Sequence, residues 1–144
     1  MEKKIDYIEL LVNVSGDKLK ELYCKAKIFW YLCGLDQTDP ALVEHFGMTI
    51  VEAMENKLVP IVFDGGGQRE IVDHGECGYR VKNIFHLIKY TYELIRDEKK
   101  REQFIEKSVV KSKLYSRERF ESNFKEYFTE LIKEYREFKK TNEN

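Results

Sequence analysis

Neither sign of charge dominates this sequence, and cysteine is scarce. Its 144 residues carry 25 lysines and arginines against 26 aspartates and glutamates, for a net charge of −1. A dedicated nucleic-acid binder normally has a basic excess or a basic stripe, so this class is disfavoured. The three cysteines form no Cys-x-x-Cys pair, and their odd number argues against a disulfide framework and a zinc site. Because Cys24 and Cys33 lie in or beside apolar runs, we expect buried free thiols in a reducing, cytoplasmic compartment.

Long apolar runs are also missing. No segment approaches the ~20 apolar residues that cross a bilayer, and the N-terminus lacks the apolar stretch of a signal peptide. The sequence therefore predicts a protein that is neither secreted nor membrane-spanning, while peripheral contact with a membrane stays open. With 42% hydrophobic and 35% charged residues, the chain has the composition of a globular domain.

Short apolar segments alternate with amphipathic segments over the first half of the chain. The predicted strands are Tyr7–Val14, Ile28–Cys33, Leu58–Phe63 and Cys77–Val81. The second is a continuous apolar run, which is typical of a strand buried on both faces. This order predicts an α/β fold: a Rossmann-like parallel sheet of about four strands with flanking helices and a C-terminal helical tail. We expect one domain over 1–144, with the α/β core at 1–96 and the helical tail at 97–144.

The last predicted helix, which begins near Ser116, has a broad aromatic stripe. Its apolar residues recur at spacings of three and four, as on one face of a helix. They are Phe120, Phe124, Tyr127, Phe128, Leu131, Ile132, Tyr135 and Phe138. Two interpretations stay open: the stripe docks onto this domain's own sheet, or part of it covers a second domain.

Two glutamates flank a predicted helix start in the sequence EHFGMTIVEAM at 44–54. Glu44 precedes the helix and Glu52 lies one to two turns inside it, so their carboxylates are expected roughly 10 Å apart along one edge. The amides of Gly47, Met48 and Thr49 lack intrahelical acceptors and, with the helix dipole, form an anion site suited to a diphosphate. A carboxylate such as Glu52 can accept two hydrogen bonds from a ribose diol. Taken alone, a pair of solvated glutamates is the simpler interpretation.

Further elements follow in order: VPIV, then GGGQREIV, then HGECGYRV. The whole run resembles the C-terminal half of the glycosyl transferases group 1, the retaining enzymes of the GT-B fold. The resemblance covers roughly residues 5–140. It implies half of a GT-B fold that binds a nucleotide-diphosphate sugar as donor substrate, with no cofactor and no metal. The glycines at 65–67 could cradle a phosphate, but a tight turn is the favoured interpretation.

The resemblance also implies roles for individual residues. Glu44 matches the first family glutamate, the catalytic-centre residue that contacts hydroxyls of the donor sugar. Phe46, Gly47 and Met48 match the loop whose backbone touches that sugar. Met48 and Thr49 match the phosphate-binding helix start, and Glu52 matches the ribose-binding glutamate.

The sequence departs from the family in two ways. The N-terminal acceptor domain is missing, and so is the family's Gly-Arg turn with its following lysine, the basic pair that neutralises the diphosphate. We therefore expect a donor-binding domain that transfers a sugar to a glycan or lipid-linked acceptor when an N-terminal domain or a partner chain completes it. The alternative is a non-catalytic nucleotide-sugar-binding or regulatory module.

Overall fold

The computed structural model describes residues 7–37 and 39–142. The strands in this part of the chain are β1 Ile28–Tyr31, β2 Val59–Phe63 and β3 Tyr79–Val81. The α-helices are α1 Gly16–Lys25, α2 Met48–Glu55, α3 Gln68–Ile71, α4 Ile84–Arg96, α5 Glu98–Ser112 and α6 Arg117–Asn142. Two short 3-10 turns lie at Pro40–Leu42 and Lys113–Tyr115.

The sheet is parallel throughout, with strand order β1-β2-β3. Ile28 pairs with Val59, and Ile61 pairs with Tyr79. Parallel neighbours need crossover connections, and helices supply them here, so all three strands end at the same edge of the sheet. The predicted Rossmann-like α/β fold is confirmed, with three strands among the described residues.

The predicted first strand, Tyr7–Val14, is wrong. This segment has no regular secondary structure and pairs with no described strand. Tyr7 and Leu10 are 90% and 85% exposed, so the apolar residues that suggested a buried strand lie in solvent. The backbone at Asn13 has a φ of 53°, which interrupts an extended conformation. Strand propensity reflects packing against neighbours, and this segment has no neighbouring strand.

β1 is also less buried than its apolar sequence predicts. It forms an edge of the described sheet and ends at Tyr31, and the Trp30 side chain is 54% exposed. The indole Nε1 donates to Thr91 Oγ1 at 3.1 Å, which ties the ring to the middle of α4. Cys24 on α1 and Cys33 just after β1 are exposed, so the prediction that both are buried is wrong. The edge position, which no local pattern encodes, accounts for the corrections in β1.

Side chains from β2 point alternately to two apolar clusters, one on each face of the sheet. Val62 packs with a cluster from α2 and α3 that includes Ile50, Met54 and Ile71. On the other face, Val59 and Ile61 pack with Tyr79, Val81, Leu87, Leu94 and Phe104. Because Phe104 belongs to α5, that helix contributes to the core from within the predicted tail. The division at residue 96 stays a prediction.

A polar network ties α4 and α5 to β3. The Tyr79 hydroxyl donates to Glu93 Oε1 at 2.7 Å, and Lys100 Nζ donates to the same carboxylate. The Lys100 ammonium, followed by the Tyr79 hydroxyl, holds the pKa of Glu93 below its ordinary value despite the opposing effect of burial. The guanidinium of Arg101, which is 7% exposed, donates to the Leu94 carbonyl at 2.8 Å. These bonds fix the angle at which α5 crosses the core.

Helix α6 is exposed along its described length. The least exposed residue of its aromatic stripe, Ile132, is still 36% exposed, and Tyr127 is 71% exposed. The interpretation that the stripe docks onto this domain's own sheet is therefore wrong. The other interpretation, that part of the stripe covers a second domain, stays a hypothesis.

We expect Phe104→Ala and Phe124→Ala to differ sharply in stability, although both remove one phenyl ring from a helix. Phe104 is 4% exposed in the core, so its loss leaves a cavity and costs about 3–5 kcal/mol. Phe124 is 57% exposed, so its loss costs about 0.5 kcal/mol or less. Urea unfolding followed by circular dichroism measures both. Equal losses for the two variants would contradict the exposed placement of α6.

Candidate functional site

The loop between β1 and α2 lies at the carboxyl end of the sheet, where open α/β folds bind their ligands. It leaves β1 at Leu32 and reaches α2 through Gly47. Gly34 and Asp36 have φ values of 89° and 61°, so the chain turns sharply on leaving the strand. The predicted site residues Glu44, Phe46, Gly47, Met48, Thr49 and Glu52 all lie on this loop or on α2.

The Glu44 carboxylate has a hydrogen-bond donor at each oxygen. The Tyr31 hydroxyl donates to Oε2, and the Phe46 amide donates to Oε1 at 3.2 Å. Donation from Tyr31, then from the Phe46 amide, holds the pKa of Glu44 below its ordinary value. The same bond raises the pKa of Tyr31 to about 12, with burial as the next cause. The pair is therefore a carboxylate and a neutral phenol at neutral pH.

Sequence reasoning missed Tyr31. It lies thirteen residues before Glu44 in an apolar run, where it was read as part of a buried strand. Its position as the last residue of β1 is the one signal that could have identified it, because side chains at the carboxyl ends of parallel strands line ligand sites.

The glycine turn after β2 supports the Glu44 loop from below. The Gly67 amide donates to the Glu44 carbonyl at 2.9 Å. A Cβ on Gly66 would lie 2.1 Å from that carbonyl oxygen, and a Cβ on Gly67 would lie 2.2 Å from the His45 carbonyl oxygen. Because the two backbones approach this closely, the turn admits only glycine at both positions. The Gly67 amide is thus occupied by the loop.

Helix α2 begins without a side-chain cap. Gly47 is its N-cap residue, with a left-handed φ of 100° that side chains rarely adopt. The Ile50 amide bonds back to the Gly47 carbonyl at 3.0 Å, which leaves the amides of Met48 and Thr49 without intrahelical acceptors. These two donors and the helix dipole favour an anion at this end of α2.

Glu52 lies on the exposed face of α2 and forms no ion pair within residues 7–37 and 39–142. Its charge contributes, after burial, to raising the pKa of Tyr23 on α1. The Glu52 carboxylate is therefore available to a ligand, in contrast to the partly covered Glu44. The two glutamates differ in their surroundings as well as in their positions.

The exposed side chains of Phe46 and Met48 open onto a groove of about 290 Å³ that reaches Glu52. The junction of α5 and α6 forms its far wall, with Tyr115 and Arg117 among the lining residues. The rings of Phe46 and Tyr115 meet edge to face, 5.6 Å apart between centroids. The Tyr115 hydroxyl donates to the Glu70 carbonyl at 2.8 Å, which anchors this wall to α3. No local pattern indicated either wall residue.

A larger hollow of about 520 Å³ lies elsewhere, along the outer face of α5. Two of its acidic residues are already paired, Asp73 with Lys111 and Glu76 with Lys107. Its lining residues include no helix start like that of α2, so the groove at Phe46, Met48 and Glu52 is the better candidate for a polar ligand. Among the residues that the structure describes, no three metal-ligating side chains come together.

Gly66→Ala is expected to destabilise the protein by roughly 3 kcal/mol or more, because it adds a clash with the Glu44 carbonyl to the strain of a left-handed residue. Two glycine variants serve as controls. Gly75 has a φ of 79° with no atom within 4 Å of the added Cβ, so Gly75→Ala is expected to cost about 1 kcal/mol of strain alone. Gly16 has open space and no such φ, so Gly16→Ala is expected to be neutral or slightly stabilising. Chemical denaturation ranks the three, and a Gly66→Ala loss no larger than that of Gly75→Ala would refute the close approach.

None of the described helices has the length and apolar composition needed to cross a membrane.

Comparison with known proteins gives two findings. Residues 2–109 match the family described as glycosyl transferases group 1. A protein of Dictyostelium discoideum named GDP-Man:Man(3)GlcNAc(2)-PP-Dol alpha-1,2-mannosyltransferase is 30% identical over 130 residues, which are 89% of this chain. The chain spans 23% of that relative's length. With the family match over most of the chain, and with the glutamate–glycine–glutamate arrangement on a Rossmann-like sheet, this protein belongs to the glycosyl transferases group 1.

Proposed function

We propose that this chain is the donor-binding domain of a glycosyltransferase, which binds a nucleotide-diphosphate sugar along the edge of α2. One observation carries the proposal. An anchored glutamate, a left-handed glycine, two helix-start amides and an unpaired glutamate follow one another from Glu44 to Glu52 along the loop and α2. Phe46, Met48 and Glu52 of this stretch also line the groove. A nucleotide sugar presents hydroxyls, a diphosphate and a ribose diol in a matching order.

Glu44 is proposed to accept hydrogen bonds from hydroxyls of the donor sugar. Its low pKa keeps it ionised at neutral pH, and charge-assisted hydrogen bonds are roughly twice as strong as neutral ones. The backbone of Phe46, Gly47 and Met48 is proposed to line the sugar. A Cβ on Gly47 would lie 2.7 Å from Ile50 Cδ1, so glycine allows the loop to pack onto α2 in this position.

The diphosphate is proposed to sit at the start of α2, on the amides of Met48 and Thr49. The Thr49 hydroxyl already acts on the Tyr31 hydroxyl, so the proposed contact of Thr49 with the diphosphate is through its amide. Glu52 would then accept from the ribose diol, because it lies one turn further along the exposed face and has both oxygens free of ion pairs. Phe46 and Tyr115 would border the ligand on the side away from the sheet.

The helix start contributes about 1 kcal/mol to anion binding, and up to ~2 kcal/mol when partly buried. A tenfold rate change takes about 1.4 kcal/mol, so these amides alone supply little stabilisation of the leaving diphosphate. We therefore propose that transfer requires an acceptor domain or a partner chain that supplies basic residues. The relative's name includes GDP-Man and a dolichol-linked acceptor, which makes GDP-mannose the first donor to test. A cytoplasmic site of action stays a prediction.

Glu52→Ala is expected to weaken the binding of GDP-mannose to the pure chain by roughly 10-fold to 100-fold, because it removes a carboxylate that accepts two hydroxyl hydrogen bonds. Isothermal titration calorimetry with a panel of nucleotide sugars measures this and identifies the base. Glu102→Ala is the matched control, since Glu102 is an exposed glutamate on α5 outside the groove. If no nucleotide sugar binds, or if both variants weaken binding alike, the proposed site is wrong.

The chain by itself is expected to transfer sugar poorly even when it binds the donor, because Arg117, the arginine among the lining residues of the groove, is exposed and already paired with Glu121. The assay is release of nucleoside diphosphate from the donor in the presence of a lipid-linked or glycan acceptor, with the donor affinity measured in parallel. Efficient turnover by the isolated chain would refute this expectation. Binding without turnover under every acceptor and partner combination would favour the alternative, a non-catalytic nucleotide-sugar-binding or regulatory module.

A further inference from the structure

We propose that Tyr31 is a positioning residue for Glu44: its hydroxyl fixes the direction of the carboxylate, so that the remaining acceptor sites of Glu44 face the donor sugar. This proposal deepens the proposed function and rests on it for the identity of the ligand. The hydrogen bond from Tyr31 to Glu44 is observed whatever the ligand is.

The first support is the rigidity of the Tyr31 ring. Tyr31 pairs with Val62 at the end of β1, so its backbone is fixed by the sheet. Its ring stacks on Phe29, two residues earlier on the same strand face, with centroids 6.1 Å apart and an interplanar angle of 15°. Tyr23 of α1 packs edge to face on Phe29, also at 6.1 Å. The hydroxyl on this ring therefore has a fixed position from which it can orient the Glu44 carboxylate.

The second support is that Glu44 has no such rigidity of its own. It lies outside helix and strand, in a loop held by the bond from the Gly67 amide to its carbonyl. That bond fixes the backbone and leaves the side-chain torsions free. Tyr31 at Oε2 and the Phe46 amide at Oε1 fix the side chain from two sides.

The third support is the acceptor capacity that remains. An ionised carboxylate has about four acceptor sites, two on each oxygen. Tyr31 and the amides of Phe46 and His45 act on up to three of these sites, so at least one is left for a ligand hydroxyl. Without Tyr31, only backbone amides hold the carboxylate, and its terminal torsion gains freedom, so the remaining acceptor capacity has a less fixed direction.

The charges around the pair agree with this role. The groups that act on Glu44 are Tyr31 from β1, the amides of Phe46 and His45, and the neighbouring His45 ring. Glu44, Cys33 and Thr49 act on Tyr31, whose pKa of about 12 keeps the hydroxyl a donor at neutral pH. Since Tyr31 is the largest cause of the lowered pKa of Glu44, removing its hydroxyl raises that pKa. Glu44 then gains a proton at a higher pH than in the native protein.

The decisive experiment is a titration of the Glu44 side-chain carboxyl carbon by NMR in the native chain, Tyr31→Phe and Tyr23→Phe. Tyr31→Phe keeps the stacked ring and removes only the hydroxyl, and the Glu44 midpoint is expected to move to higher pH. Tyr23→Phe removes a hydroxyl from the same aromatic group without touching Glu44, so the midpoint is expected to stay. An unchanged midpoint in Tyr31→Phe, with native circular dichroism, overturns the proposal.

Binding then separates this inference from the proposed function. Tyr31→Phe is expected to weaken the binding of GDP-mannose by about tenfold. The affinity for GDP is expected to stay the same, because GDP lacks the sugar that Glu44 contacts. One outcome refutes the positioning role and leaves the proposed function standing. In that outcome the native chain binds GDP-mannose, Glu44→Gln weakens this binding, and Tyr31→Phe does not. If the NMR midpoint moves in Tyr31→Phe but native chain binds no nucleotide sugar, the function fails while Tyr31 is still shown to control Glu44.

Discussion

The candidate site depends on one close approach between two stretches of backbone. The turn at Gly66 and Gly67 lies directly beneath the loop at Glu44 and His45, and the amide of Gly67 bonds to the carbonyl of Glu44 at 2.9 Å. A Cβ at either glycine would overlap a carbonyl oxygen of the loop, so a side chain there would push the two stretches of backbone apart. Because β2 leads straight into this turn, the sheet edge fixes the height and direction of the loop, and the loop in turn fixes where α2 begins.

The two glutamates of the candidate site differ in hydrogen bonding and exposure because their neighbours differ. Glu44 has a donor at each oxygen and a lowered pKa, whereas Glu52 stands exposed on α2 with no ion pair in the described part of the chain. A carboxylate held by two donors has a fixed direction, which favours hydrogen bonds to hydroxyls at defined positions. A carboxylate without partners can change its direction as an extended ligand binds. The same residue type therefore has two different environments within nine residues of sequence.

Apolar surface is distributed unevenly over the molecule. The two clusters on either face of β2 are closed to solvent, but Trp30 at the open edge of β1, the segment at 7–14 and the stripe of α6 are exposed. Large exposed apolar patches often mark interaction surfaces in soluble proteins. In the described part of the chain these residues stay exposed, and no occupant is assigned to them.

Local signals predicted most of the elements. Ser15 and Asn83 cap α1 and α4 as their residue types suggest, each accepting from a backbone amide three residues on. The apolar run at 59–63, the glycines at 65–67 and the glutamate spacing at 44–52 were likewise readable, since each depends on residues close together in the chain. The strand predicted at Tyr7–Val14 was wrong, and the burial predicted for β1 was too high. Both errors arose because an apolar sequence indicates that a segment can be buried, but it does not show whether a neighbouring strand or helix covers it.

The sequence by itself determined the fold class and the family, and it proposed the six candidate site residues from Glu44 to Glu52, because those residues lie close together and their order is the signal. Only the tertiary structure decided that Tyr31 bonds to Glu44, that Gly66 and Gly67 lie beneath the loop, that Tyr115 forms the far wall of the groove, and that α6 stands away from the core. These contacts join residues that are distant in the chain, and their geometry follows from strand order and helix packing, which no local pattern of residues specifies.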